Sequence, residues 1–193
     1  MKTFKLEGAL RNDLGKKATK AYRKDEVIPA VIYGGETTDA IHFSVPAAAV
    51  RKLIYTSDIF LVDLSVEGKE YKAILKDIQF HPVSDNILHL DFLQVFATKP
   101  IVIDVPVVLE GLAEGVKAGG KLSLDMRYLK VKALYDNVPE KLTVNVSDLA
   151  LGKSIQVGAL NFDNLELLNA KNAVVCRVQL TRAARGAMAK GQN

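Results

Sequence analysis

Cysteine is nearly absent: Cys176 is the one thiol in 193 residues. A lone cysteine excludes an internal disulfide framework and fits a reducing cytosol. It stands in Ala173–Leu180, AVVCRVQL, which reads as a buried strand, and the second half has no histidine to activate it. An inert core thiol is expected. Long apolar runs are also missing. The most apolar stretch, Ile101–Leu109, is broken by Asp104 and Pro106 and is far too short to span a bilayer. The opening MKTFKLEGAL lacks the apolar core of a secretory signal, so a cytoplasmic protein with no membrane partner is expected. Neither Gly34-Gly35 nor Gly119-Gly120 belongs to a phosphate-cradling loop or a dinucleotide fingerprint, and no cofactor is expected. Histidine is scarce (His42, His81, His89), and its spacing with Asp91 matches no metal motif. No G-x-S-x-G nucleophile turn occurs.

What the chain does have is an uneven distribution of charge. The net +4 and pI near 9.0 are mild, but residues 1–24 hold eight basic side chains against two acidic ones. Residues 1–95 hold thirteen of each sign, so the stretch 25–95 is as acidic as the first segment is basic. Such polarisation points to an acidic partner. The basic residues concentrate in Arg11–Lys24. On a helical wheel of about 100° per residue, Lys16, Lys17, Lys20, Arg23 and Lys24 fall within an arc of roughly 120°. Ala18, Ala21 and Tyr22 take the opposite side. A helix of two or three turns is unstable alone in water, so the strand-like run Ile28–Tyr33 must anchor it. The stripe suits a phosphate backbone; a merely solvated face is the plainer alternative.

In chain order, Thr3–Ala9 alternates as an opening strand. Pro29–Tyr33 runs into the turn Gly34–Asp39, and Ile41, Phe43 and Val45 alternate after it. Pro46 opens a short helix. Phe60–Val66 and Tyr71–Phe80 form a hairpin closed at Glu67-Gly68-Lys69, and Ile87–Phe96 is the last strand of this half. Six strands with two short helices predict a β-barrel domain over 1–97. After Thr98-Lys99-Pro100 come short β-branched segments, from IVIDVPVVL to AVVCRVQL, predicting a second all-β domain over 98–182. The tail 183–193 is small, polar and basic, and is expected to be flexible. The chain as a whole is mainly β.

Alternation also assembles a recognition face. With Ile74, Ile78 and Phe80 on one side of their strand, Gln79 and Asp77 face the other way. Leu88, Leu90 and Phe92 turn inward and aim His89 and Asp91 outward. Gln79, His89 and Asp91 then share one exposed face whose donors and acceptors suit the shallow minor groove of RNA. His89 and Asp91 also allow two other readings: a surface ion pair, or a general base with its orienting carboxylate in a small hydrolase. Aromatic residues, 7 % of the chain, are too few for a single-strand stacking platform, so folded RNA is favoured.

The run R-x3-G-K-x-A-x4-R…P-A-V-I-Y-G-G, Arg11 to Gly35, resembles the bacterial 5S rRNA-binding proteins of the large ribosomal subunit, large-subunit protein twenty-five. A second match, G-K-E-Y-K…K-D-I-Q-F-H-P…L-H-L-D-F, spans Gly68 to Phe92. The β domain after Lys99 is similar to the second domain of the long form, the general stress protein Ctc family. The resemblance implies a non-enzymatic ribosomal protein whose barrel binds the loop E region of 5S rRNA in the central protuberance. It maps RNA contacts to Arg11, Lys16, Lys20, Arg23, Tyr33, Gln79, His89 and Asp91, and Lys17 lies in the same stripe. It further implies a monomer within the ribosome, its second domain free to meet neighbouring ribosomal proteins. A free stress-response interaction module is the alternative. Lys20 stands where the family pattern often has arginine: an ammonium keeps the charge but loses the bidentate fork. Ala21 makes the basic run less dense than in some relatives.

Overall fold

The computed structural model describes residues 1–35, 40–182 and 184. The tail 183–193 and most of the turn after Gly35 lie outside the described residues, apart from Ala184 and Ala40. The chain divides into two compact units, Met1–Ile101 with Leu134–Asp136, and Val102–Ala133 with Asn137 onward.

The first unit is a closed six-stranded barrel. Its strands are β1 (Lys2–Leu10), β2 (Val27–Tyr33), β3 (Ile41–Pro46), β4 (Phe60–Val66), β5 (Lys69–Phe80) and β6 (Ile87–Gln94). Their order around the barrel is β1-β3-β2-β6-β5-β4. β1 closes it by running parallel to β4, from Lys2↔Phe60 to Gly8↔Val66. Closure removes every free strand edge, a hazard that an open sheet must blunt in other ways. Inward residues fill the interior: Leu6, Ile32, Phe43, Val62, Leu64 and Phe92 are all essentially inaccessible. The rings of Phe43 and Phe92 meet with centroids 5.8 Å apart. Gly8 makes room for this pair, because a Cβ there would stand 2.6 Å from the Phe43 ring. Two helices, α1 (Lys16–Lys24) and α2 (Ala47–Ile54), complete the unit. Helix α2 is seated by Val50 and Leu53, both buried in the barrel core.

One facing differs from the alternation. Ala73 and Leu75 of β5 belong to the barrel core, Ala73 opposite Val62, so Ile74 points to the other side. A bulge then intervenes: Leu75 pairs with Phe92 but Asp77 with Asp91, leaving Lys76 as the extra residue. The bulge shifts the phase, so Ile78, not Asp77, turns inward next. Ile74 and Ile78 are therefore on opposite faces despite their even spacing. Phe80 is 42 % exposed and leaves the core as well.

The second unit holds two small sheets. β7 (Ile101–Glu110), β9 (Tyr128–Ala133), β10 (Leu142–Asn145) and β12 (Glu166–Leu167) form one, in the order β10-β7-β9-β12. β8 (Lys121–Leu124), β11 (Ser154–Gln156) and β13 (Val174–Gln179) form the other, in the order β11-β13-β8. The unit is not purely β: α3 (Glu114–Lys117) makes one helical turn in the loop after β7. The two-residue β12 is too short to leave an alternating pattern. Cys176 is fully buried in β13, and burial pushes its thiol above the ordinary range.

Candidate nucleic-acid interface

Helix α1 keeps none of its residues fully buried. Ala18, Thr19 and Tyr22 are half-covered, whereas Ala21, expected on the packed side, is exposed. Two arginines brace this thin contact. Arg23 reaches across to β6, its Nε and Nη2 donating to the Leu88 carbonyl at 3.1 and 2.8 Å. Arg11 is only 7 % exposed, and its guanidinium carbon sits 5.0 Å from the Tyr22 ring centroid. Its Nη2 donates to the Asp13 carbonyl at 3.3 Å, and its Nε is buried without a partner among the described residues. Arg11 thus lies beneath the helix instead of on its open stripe.

The stripe itself is lysine. Lys16, Lys17, Lys20 and Lys24 are exposed, and their side chains have no hydrogen bond or ion pair among the described residues. The helix starts at Gly15 without a side-chain cap and has no acid in its first turn. Lys16 and Lys17 there oppose the helix dipole, so the arrangement costs stability in the free protein.

Beside the helix lies the outer face of β2, β6 and β5. Gln79 pairs directly with His89, and Asp77 with Asp91. Val31 pairs with Asp91 across the parallel β2–β6 ladder, which puts Tyr33 diagonally next to that carboxylate. The expected grouping of Gln79, His89 and Asp91 on one face is present, with Tyr33 and Asp77 added. His89 Nδ1 donates to Asp91 Oδ1 at 2.6 Å. The bond holds the ring so that Nε2 faces outward, as an acceptor in the neutral form. Asp77 Oδ1 accepts from the Ile78 N–H at 2.9 Å. Loss of solvation, then the charges of Asp91 and Asp77, push the Tyr33 phenol above its ordinary range. At neutral pH it is a donor. Asp77 was legible from its alternation with Gln79, but its position opposite Asp91 depends on the bulge, which has no sequence signature here.

Among the described residues no three His, Cys, Asp or Glu side chains gather as metal ligands. His81 is engaged in its own turn, where Nδ1 accepts from the N–H groups of Val83 and Ser84 at 3.3 and 3.2 Å.

Comparison with known proteins covers both units. The model of the Ribosomal L25p family matches residues 6–92, and that of Ribosomal protein TL5, C-terminal domain, matches 100–182. The large ribosomal subunit protein bL25 of Porphyromonas gingivalis is 65 % identical over 193 residues, covering 100 % of both chains. That of Parabacteroides distasonis is 64 % identical over 196 residues, covering 99 % of this chain and 100 % of its own. The Bacteroides fragilis protein is 57 % identical over 194 residues, 98 % of each. With end-to-end identity at this level and a two-domain match in the same order, the chain belongs to the ribosomal L25p family, in its long form.

Proposed function

We propose that the chain is a structural, non-enzymatic component of the large ribosomal subunit whose barrel binds 5S rRNA, at the loop E region in the central protuberance. The observation that carries this reading is the adjacency of two complementary surfaces. A stripe of exposed lysines, without side-chain partners among the described residues, is braced on the barrel by Arg23 and Arg11, next to a face of Tyr33, Gln79, His89 and Asp91. The stripe supplies phosphate contacts that position the RNA, and the face supplies contacts that specify it. Asp77 and Asp91, directly opposite one another, repel. Carboxylates cannot favour phosphate, so they select RNA groups that donate, such as a guanine amino group or a 2′-hydroxyl.

The His89–Asp91 pair is poorly placed for hydrolysis. It sits on the outer surface of a barrel strand, and neither residue lines the cleft walled by Arg23, Arg51 and His81. Catalysis needs a concave site. In this reading the protein works in the cytoplasm as a ribosome-bound monomer, and its second domain meets neighbouring ribosomal proteins. Pull-down from total bacterial RNA with the full chain tests it. One band of 5S rRNA is expected; a smear, or no RNA, rejects it.

A further inference from the structure

Where the C-terminus of α1, helix α2 and the turn between β5 and β6 meet, they enclose a cleft of about 360 Å³. Neither the lysine stripe nor the sheet-face residues enter it, yet it begins where they end. Arg23 lines it and bonds the Leu88 carbonyl, one residue from His89. We propose that this cleft seats one unpaired nucleotide of the RNA, beside the stretch held by α1 and the sheet face. The inference rests on the RNA-binding reading above.

The chemistry of the walls selects this ligand. Tyr55, 61 % exposed, offers a ring with little covering it, more open than the other exposed aromatics, Tyr128 and Phe80. A base can stack there whatever its identity. Arg51 stands on α2 one turn before it, exposed, and its side chain has no hydrogen bond or ion pair among the described residues. Two guanidinium groups, those of Arg51 and Arg23, thus border the cleft and suit a phosphate. His81 adds a third donor. Because its Nδ1 accepts two backbone N–H groups, the neutral ring carries its proton on Nε2. Asn86 supplies both a donor and an acceptor. Glu26 is the one carboxylate in the lining; it excludes a second phosphate and accepts from a base amino group or ribose hydroxyl.

The wall is rigid before any ligand arrives. The His81 N–H donates to the Asn86 carbonyl at 2.8 Å, and the Asp85 N–H to the His81 carbonyl at 3.0 Å. Glu26, at φ 56°, holds the opposite wall by accepting from the Ala47 N–H at 2.9 Å. Preorganised walls reduce the ordering cost of binding. A volume of this size is at the small end of ligand sites, enough for a nucleotide and too little for a folded segment.

The test uses the full chain and transcribed 5S rRNA, with Tyr55→Ala, Tyr55→Phe, Arg51→Ala and Arg51→Lys. Tyr55→Ala weakens binding by about ten-fold and Tyr55→Phe leaves it intact, since stacking needs only the ring. Arg51→Ala lowers the magnitude of the salt slope by about 0.7–0.9, the share of one phosphate, and Arg51→Lys restores it. Nucleotide-resolution chemical probing finds one unpaired position protected by the wild type and reactive with Tyr55→Ala, the rest of the footprint unchanged. Wild-type affinity, slope and footprint in both alanine variants overturn the proposal. So does loss of ribosome retention at unchanged RNA affinity, which assigns the cleft to an acidic protein segment. If the wild type fails to bind 5S rRNA, the underlying reading falls, and titration with single-stranded trinucleotides decides the cleft by itself. Saturable binding lost in both alanine variants upholds a nucleotide cleft, and no binding rejects it.

Discussion

Arg11 and Arg23 carry the same charge as the lysines around them, and the fold uses them differently. Planar guanidinium groups stack on rings and fork onto carbonyls, which an ammonium cannot do. Arg11 lies against Tyr22 and Arg23 grips the Leu88 carbonyl, while the side chains of Lys16, Lys17, Lys20 and Lys24 have no partner among the described residues. Charge counting along the sequence puts all of them on one basic surface; only packing separates braces from free cations. Tyr33 shows a second residue-scale effect. Its phenol is raised by desolvation first and by Asp91 and Asp77 next. An acid whose folded pKa is raised contributes stability that is complete below its unfolded value, about 10. That contribution is lost as pH rises through the folded value. Asp77→Asn is expected to move the Tyr33 titration back toward the ordinary range, read by ultraviolet absorbance with Tyr33→Phe as the reference; no movement would leave the carboxylate without influence there. Asp91→Asn keeps the shape of the side chain but turns one acceptor into a donor and loosens the hold on His89. It is expected to weaken cognate RNA binding by about 1–3 kcal/mol, the scale of one mispaired contact. Affinity for unrelated duplex RNA holds steady or rises slightly, because a negative charge is removed. Equal changes for both RNAs, at one fixed salt concentration, would take the sheet face out of the specificity account.

Among the elements, α1 is the one whose proposed role and stability conflict. It has no side-chain cap, no acid in its first turn and two lysines there, and it buries no residue completely. A helix built this way holds only because β2 and β6 carry it. Replacing Lys16, Lys17 and Lys20 with alanine is expected to leave the fold intact, since none has a partner in the described structure. Helix propensity even rises with alanine. RNA affinity falls, and the slope of log K against log salt flattens by roughly two to three units, at about 0.7–0.9 per phosphate. An unchanged slope with normal folding would make the stripe only a solvated face. Replacing Arg23 belongs to a different class, because it releases the helix from Leu88 as well. Legibility in the sequence follows the same division. The helix, its stripe and all six barrel strands show in the 3.6- and two-residue periods, because each packs one face on a core. The bulge at Lys76 does not show: one extra residue in twelve reverses the facing of β5 without altering its composition. Gln79 still faced outward as expected, because Ile78, beyond the bulge, sets its phase. The cleft was not legible at all, since Arg23, Arg51 and His81 come from three separate elements that only barrel closure brings together.

For the whole molecule, the division of labour follows from where unspent charge remains. The barrel has its own closed sheet and its own core, and it contains every candidate RNA contact. From residue 96 onward thirteen basic and nine acidic side chains are scattered through the sequence. Part of that basic charge is already neutralised: Lys132 pairs with Glu166 at 3.1 Å and Arg177 with Asp125 at 3.0 Å. Exposed pairs of this kind add little stability, yet each withdraws a cation from phosphate recognition. The cations of the second unit are therefore scattered and partly paired, with no stripe like that of α1 gathered among the described residues. A fragment of residues 1–101 keeps the barrel entire and omits only Leu134–Asp136 from its compact unit. It is expected to fold, and to bind 5S rRNA within a few-fold of the full chain at equal salt, with the same salt slope. Its retention on the large subunit through a high-salt wash should be poorer, because the proposed reading assigns contacts with neighbouring proteins to the second domain. Measuring both quantities on one fragment separates RNA recognition from attachment to the particle. If the isolated halves each lose most of the RNA affinity, recognition is shared across the chain and the barrel alone is not the RNA-binding module.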